Sequence, residues 1–315
     1  MHPVLTGATR PTFNRSLGLA VALAAALASR TDAQAAQSGA PLTVDSKWLA
    51  AHLRDPNLVL LHLGEKPEYE KTHIPGARFV DLRDIVVDGR PSNLSFEMPA
   101  PEDLRTRLQS LGISDDSRVV VYYGNDWVSP STRVVFTLHH AGLGDRVSML
   151  EGGMQRWIKD GNTVTADATP AKTGRLAALK TRPTIVDVEF VKSHIRTPGT
   201  VIVDARAPVF YDGPAHGEHR AGHIPGAVNI PFNSMFDDTN TLRSRDEITA
   251  LFRDAGVKPT DRVVVYCHIG QQATAVIFGA RSIGYDAVLY DGSFDDWSRR
   301  TELPVETGKP GKPGA

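Results

Sequence analysis

The sequence contains a single cysteine, Cys267, whose surroundings favour a reactive thiol over a purely structural one. It directly follows an apolar run ending at Tyr266 and opens a short loop, after which a helical pattern begins at about Ala273. Successive backbone N–H groups of such a loop can converge on one anion, and the helix N-terminus adds a partial positive charge. These features favour a thiolate, with a pKa lowered from ~8.5 into the range ~3.5–7.5, and they would also stabilise a persulfide anion. The alternative is an inert buried thiol, because unpaired cysteines are among the most buried residues.

The loop after Cys267 is the predicted active site. A thiolate here would attack the outer sulfur of a donor, while the loop amides supply electrostatic stabilisation, so this chemistry needs no metal and no organic cofactor. Gly270 lets the backbone turn tightly within the loop. The predicted loop residues after the cysteine are His268, Ile269, Gly270, Gln271, Gln272 and Ala273.

The surrounding elements predict that Cys267 lies at the carboxyl end of a buried strand. Residues 263–266 form an apolar run without alternation, which is typical of a strand buried on both faces. Ser244 and Glu247 have the spacing of a capping box and open a helical pattern before that strand. Strands that alternate with helices imply right-handed crossovers and a mostly parallel α/β sheet. In such sheets, sites form at the carboxyl ends of the strands.

The chain contains two copies of one domain. Six segments recur in the same order at an offset of between 140 and 150 residues, which is the signature of a duplication. The matched pairs are 43–45 with 184–187, 58–63 with 201–205, 73–77 with 223–227, 104–112 with 248–256, 118–122 with 262–266, and 151–157 with 291–297.

Residues 1–35 have the layout of a secretory signal peptide. Arg10 and Arg15 precede a short apolar run at 17–28, small residues follow it, and Ala33-Gln34-Ala35 offers a cleavage site. The run is too short to cross a bilayer, although an uncleaved anchor remains the alternative. We therefore expect a secreted or periplasmic protein that has no membrane partner after cleavage.

The remaining chain divides into a first domain at 41–160, a linker at 161–183, a second domain at 184–305 and a disordered tail at 306–315. The formal net charge is −1, from 35 basic and 36 acidic residues, which excludes the basic excess of a nucleic-acid binder. With one cysteine, no intramolecular disulfide can form. A monomer is the working expectation.

The two copies together resemble the tandem rhodanese and thiosulfate/mercaptopyruvate sulfurtransferase family. The resemblance rests on the repeated His-Ile-Pro-Gly-Ala segment, the Val-rich strand before the loop and the Gly-to-Trp ending, and covers about residues 42–304. It implies two small, mostly parallel five-stranded sheets flanked by helices, with the active site near the domain interface. Tyr123 stands at the position of Cys267 in the first domain, which is therefore expected to be catalytically silent. Asp204 and Arg206 match the family's Asp-x-Arg segment and are expected to support the loop, either as a buried ion pair or in catalysis.

Two positions depart from the family's pattern. The loop residues His268, Ile269 and Gly270 match neither the Arg- and Lys-containing loops of thiosulfate-specific members nor the Gly-Ser-Gly type of mercaptopyruvate-specific members. Phe210 stands where the family places an anion-binding Arg, and an aromatic ring cannot replace a bidentate guanidinium, so Phe210 is a substrate-pocket candidate. The expected donor is a small anion, thiosulfate or 3-mercaptopyruvate, and the expected acceptor is cyanide or a thiol.

Three alternatives remain from the sequence. A Cys-dependent phosphatase or arsenate reductase would need an Arg at the sixth position after the cysteine, where this chain has Ala273. A non-enzymatic module that carries sulfur or binds partners is the second. The third is a metal site on His216, His219 and His223, which their spacing supports only weakly, so no metal is predicted.

Overall fold

The computed structural model describes residues 1–2, 39–88, 93–125, 128–213 and 220–308, and its main folded unit begins at Ala40. Strands and helices alternate along the first half, as the pattern of apolar runs predicts. The elements of that half are β1 Thr43–Val44, α1 Ser46–His52, β2 Leu58–Leu63, α2 Lys66–Lys71, β3 Ala77–Val80, a 3-10 turn Leu82–Asp84, α3 Pro101–Ser110, β4 Arg118–Tyr123, α4 Ser129–His140, a 3-10 turn Gly144–Arg146, β5 Val147–Leu150 and α5 Gly153–Lys159.

The second half repeats this order after a stretch at 160–184 without helix or strand. Its elements are β6 Ile185–Val186, α6 Val188–Ser193, β7 Thr200–Asp204, α7 Pro208–Asp212, β8 Val228–Asn229, a 3-10 turn Phe232–Met235, α8 Arg245–Asp254, β9 Arg262–Tyr266, α9 Ala273–Ser282, β10 Asp286–Tyr290 and α10 Ser293–Arg299.

Each half forms one five-stranded parallel sheet, and the two sheets have the same strand order. The orders are β1-β5-β4-β2-β3 and β6-β10-β9-β7-β8. The central registers also agree: Leu58 pairs with Arg118 in the first sheet, as Thr200 pairs with Arg262 in the second. The predicted α/β fold with two tandem rhodanese-like domains is therefore confirmed.

Helix starts are also repeated between the halves. The side chain of Asp45 accepts a hydrogen bond from the Trp48 amide at 2.6 Å, and Asp187 caps α6 through the Phe190 amide at 2.9 Å. The predicted capping box at the start of α8 is present, with Ser244 and Glu247 each bonding the other's backbone amide. Such caps satisfy N–H groups that a helix start otherwise leaves without partners.

The two halves share one hydrophobic core. Apolar residues on the facing sides of both sheets form a continuous buried cluster that includes Phe136 of α4 and Ile277 of α9. Helices α4 and α9 lie against each other, and the hydroxyls of Thr132 and Thr274 meet at 2.9 Å. The first half therefore packs directly against the helix that follows Cys267.

The chain ends are placed only in part. The signal-peptide segment predicted at 1–35 lies outside the described residues except for its first two. None of the helices in the described ranges combines the length and apolarity needed to cross a membrane. Glu306 pairs with His223 through two backbone hydrogen bonds of 2.8 and 2.9 Å, so the ordered chain extends past the predicted tail boundary at 306. Residues 309–315 lie outside the described part.

Candidate active site

Cys267 is the first residue after β9, and its side chain is fully buried. We define residues 267–273, from the cysteine to the first residue of α9, as the Cys267 loop. Four backbone amides of this loop donate hydrogen bonds to the sulfur: those of Ile269, Gly270, Gln272 and Ala273. The predicted convergence of N–H groups on one atom is therefore present, and the N-terminus of the ten-residue helix α9 lies at the same place.

The resting thiol nevertheless has a raised pKa. Burial raises the pKa of Cys267 above its ordinary value, and the four amide hydrogen bonds lower it by less. The expectation of a lowered pKa is thus wrong for the enclosed loop, because removing the thiolate from water costs more than the amides return. A sulfur chain that extends away from Sγ would move the negative charge off this desolvated atom.

The first turn of α10 anchors the Cys267 loop. The Cys267 amide donates to Ser293 Oγ at 3.3 Å, while the amides of Phe294 and Asp295 donate to the carbonyls of Cys267 at 3.0 Å and His268 at 2.9 Å. Ser293 has a positive φ of 53°, a left-handed conformation that non-glycine residues seldom adopt. Such a conformation costs free energy and persists only where the surrounding structure enforces it. At Ser293 it accompanies the hydrogen bond to the Cys267 amide.

Asp204 and Arg206 form a buried ion pair beneath the loop. Nε of Arg206 lies 3.0 Å from Oδ1 of Asp204 and Nη2 lies 2.6 Å from Oδ2, with both side chains at most 2% exposed. Asp204 also accepts a hydrogen bond of 2.7 Å from Tyr266, the residue before Cys267. Burial alone would lower the pKa of Arg206, but Asp204 outweighs it and the pKa is raised, with Cys267 acting in the same direction. The pair therefore fixes the strand end from which Cys267 projects.

The aromatic side chains of Phe210 and His268 contact each other. Their ring centroids are 4.7 Å apart and the planes meet at 87°, an edge-to-face geometry. Both are half-buried, so the Phe210 position and the Cys267 loop form one surface. This arrangement places an apolar aromatic edge beside the loop, where the family resemblance anticipates a cation.

Three further residues belong to the site, and the sequence analysis did not predict them. Arg133 on α4 reaches the loop from the other half, Asp291 binds Arg133 at 3.1 Å, and Ser293 supports the Cys267 amide. Ser293 could have been found by comparing the copies, since Gly153 stands at its place in the first. Arg133 could not, because nothing in its local sequence indicates a contact 137 residues away.

The first half keeps the frame of the site but not its chemistry. The matching registers place Tyr123 at the position of Cys267 and His62 at that of Asp204. Tyr123 donates to the Asn240 carbonyl at 2.7 Å, so this side chain binds the second half instead of presenting a sulfur. Burial lowers the pKa of His62 to about 4, so it is neutral and forms no counterpart of the Asp204–Arg206 pair.

His223 has a structural environment. Its ring stacks on Tyr211 with centroids 3.7 Å apart, and Nδ1 lies 3.0 Å from the Tyr211 carbonyl. His73 repeats this stacking on Tyr69 at 4.1 Å in the other half. His216 and His219 lie outside the described residues, and within the described ranges no three metal-binding side chains come together.

A paired α/β domain with a cysteine held in an amide-lined loop defines the class of protein. The sequence profile of the rhodanese-like domain matches residues 45–160 and 187–300. The chain therefore belongs to the rhodanese family, with two such domains in tandem. Among curated proteins it is 30% identical to the thiosulfate sulfurtransferase of Rattus norvegicus, over 85% of this chain and 96% of the relative.

Two further relatives extend this comparison. The chain is 31% identical to the 3-mercaptopyruvate sulfurtransferase of Escherichia coli K12, over 84% of this chain and 98% of that protein. Among solved structures, it superimposes with a TM-score of 0.76 on the anaerobic ergothioneine biosynthesis enzyme from Chlorobium limicola, which was solved with its natural substrate trimethyl histidine. The identity there is 25%, and the match covers 85% of this chain and 71% of the enzyme.

Proposed function

We propose that this protein is a sulfurtransferase that carries sulfur as a persulfide on Cys267. The observation that carries the proposal is the convergence of four loop amides on Sγ. Such an arrangement stabilises a sulfur-centred anion without a metal or an organic cofactor. Relatives named for thiosulfate and 3-mercaptopyruvate sulfur transfer align over nearly their whole lengths, which supports the same reaction class here.

The reaction proceeds by two displacements at sulfur. The Cys267 thiolate attacks the outer sulfur of the donor, a new S–S bond forms, and the bond within the donor breaks with its electron pair on the leaving group. With thiosulfate, the products are the Cys267 persulfide anion and sulfite. An acceptor nucleophile then attacks the terminal sulfur: cyanide leaves as thiocyanate and the thiolate is regenerated. Charge and sulfur balance in both steps, so no oxidant is required.

Some residues around Cys267 stabilise negative charge on the sulfur, and others hold the Cys267 loop in place. The loop amides hold the sulfur anion, Arg206 contributes a positive charge that Asp204 keeps in place, and Ser293 fixes the first amide of the loop. The donor class is a small anionic sulfur compound. Thiosulfate gives up its outer sulfane sulfur with sulfite as the leaving group, whereas 3-mercaptopyruvate gives up its thiol sulfur as the C–S bond breaks and pyruvate leaves as the enolate. Phe210 favours the less highly charged of the two, 3-mercaptopyruvate, because its ring cannot replace a bidentate guanidinium as a partner for the thiosulfate dianion.

We further propose that the reaction takes place outside the cytoplasm. The support is the signal-peptide pattern at 1–35, and the mass of the protein recovered from the producing cell tests it. A mature chain that begins near residue 36 is expected, whereas a full-length product in the membrane fraction contradicts the proposal.

Sulfur transfer to cyanide by the purified chain tests the function. Thiosulfate and 3-mercaptopyruvate are offered in parallel, thiocyanate is measured, and Cys267→Ala is the control. Turnover with at least one donor that disappears in the control is expected, together with a mass increase of one sulfur atom on Cys267. Absence of both turnover and sulfur uptake contradicts the proposal. Sulfur uptake without turnover identifies a sulfur carrier instead.

A further inference from the structure

Arg133 is a fully buried arginine that the first half contributes to the site of the second. It lies on α4, and its guanidinium donates three hydrogen bonds, one of which goes directly to the Cys267 loop. Nη1 donates to the Gly270 carbonyl and to Asp291 Oδ1, each at 3.1 Å, and Nη2 donates to the Phe96 carbonyl at 2.7 Å. A buried guanidinium needs such partners, because an unpaired charge is costly in the interior.

Gly270 is held from both sides of its backbone. Its amide donates to the Cys267 sulfur, and its carbonyl accepts the bond from Arg133. Its φ is +82°, and a Cβ at this position would lie 3.0 Å from Arg133 Nη1 and from the Asp291 carbonyl. The guanidinium is therefore in close contact with the turn that aims the loop amides at the sulfur.

Asp291 completes this support from the other side. One carboxylate oxygen binds Arg133, and the other accepts the Met98 amide at 2.6 Å. Asp291 directly precedes the Gly292–Ser293 turn, and Ser293 supports the Cys267 amide. The first half thus contacts the second at two points: Arg133 binds the Gly270 carbonyl of the Cys267 loop, and Arg133 and Met98 bind Asp291, just before α10.

We propose that Arg133 is a positioning residue for sulfur transfer, which holds the Cys267 loop in the conformation that binds the sulfur anion. Its role rests on the proposed function. Arg133 does not touch the reacting sulfur; it acts through the Gly270 peptide and through Asp291. The silent half therefore contributes to the reaction a residue that the catalytic half lacks.

Arg133→Met tests this role, because it removes the guanidinium and keeps an unbranched apolar stem. The first readout is alkylation of Cys267 by iodoacetamide as a function of pH, which needs no sulfur donor. The titratable and charged groups on the elements packed around the loop are Asp204 and Arg206 at the carboxyl end of β7, Tyr266 on β9, His268 in the loop, Arg133 on α4, and Asp291 and Asp295 around the start of α10. The second readout is the rate of persulfide formation, measured by mass spectrometry. Loss of a hydrogen bond to a charged group corresponds to a fall on the order of 10- to 100-fold, and we expect persulfide formation to slow by that factor.

In the Met variant we also expect the alkylation midpoint to move to higher pH, because the amides no longer point at the sulfur. Arg133→Lys keeps the charge but cannot reach all three acceptors, so an intermediate rate is expected. Should the Met variant fail to fold, the Lys variant carries the test alone. Wild-type alkylation and persulfide rates in a folded variant overturn the proposal.

Two comparisons separate positioning from simpler effects. Arg281→Met is the matched control, because Arg281 also packs at the α4–α9 contact, 5.3 Å from the Phe136 ring, without bonding the loop; its rates should match the wild type. The double variant Arg133→Met/Asp291→Asn removes the unpaired carboxylate. If persulfide formation stays slow in the double variant, the positioning role is supported. If it recovers to the wild-type rate, the proposal is overturned. If the wild type forms no persulfide at all, the proposed function fails, while the alkylation comparison still tests Arg133.

Discussion

The Asp204–Arg206 pair predicts a large and selective loss of stability when one partner is neutralised. In Asp204→Asn the guanidinium of Arg206 keeps its positive charge but loses its only carboxylate partner among the described residues, at a site where both side chains are at most 2% exposed. Breaking a buried ion pair from one side costs about 3–5 kcal/mol, because the remaining charge stays desolvated. The Tyr266 hydroxyl also loses its charged acceptor. We therefore expect the free energy of unfolding to fall by about 3–5 kcal/mol.

Urea unfolding followed by circular dichroism measures this loss. Asp254→Asn is the matched control, because the Arg253–Asp254 pair has the same chemistry but is 69% exposed on both sides. Surface pairs contribute roughly 0–1 kcal/mol, so the control should unfold almost as the wild type does. Replacing both buried partners, as Asp204→Leu/Arg206→Met, should cost less than Asp204→Asn alone. Equal losses in the buried and the exposed variant would refute the reasoning.

Three further outcomes are expected. Because burial raises the pKa of Cys267, its alkylation rate should keep rising through pH 9 without a plateau near neutrality, and a plateau below pH 7 contradicts the burial argument. Phe210→Arg should raise kcat/KM for thiosulfate by about tenfold or more, since a bidentate guanidinium adds a charge-assisted contact, while an unchanged value would remove Phe210 from the substrate pocket. Gly270→Ala should lower the free energy of unfolding by at least ~1–2 kcal/mol, because of its positive φ, and should also slow persulfide formation. Gly284→Ala, which has a similar φ but open space around it, should lower stability alone. Thermal unfolding and persulfide rates measured on both variants test this difference.

The fold could be predicted because the sequence contains the same domain twice. Two copies in the same order define each other's strands, and the buried run at 263–266 predicts the carboxyl edge at which Cys267 lies. The loop amides were predictable for the same reason, since a strand-to-helix connection of this length has few ways to turn. The local sequence pattern was thus sufficient to predict the strands and the loop, because each of these segments determines its own conformation.

The thiol pKa and the interdomain support could not be predicted in this way. The pKa of Cys267 depends on how completely tertiary packing excludes water, which no local pattern encodes. Arg133 acts across 137 residues of sequence, because α4 packs on α9 only in the assembled fold. The Phe210–His268 contact likewise joins helix α7 to the Cys267 loop, and their proximity follows from the pairing of β7 with β9 and not from sequence spacing.

Because the two halves share one continuous core, we expect them to stay together when the linker is cut. The segment at 161–183 has no helix or strand, whereas α4 and α9 share an apolar contact that belongs to one cluster. A chain cut within that segment should therefore remain a single particle, held by the contact alone. The contact between the two halves thus resembles the interface of a heterodimer, and the halves could be supplied as separate chains that complement each other.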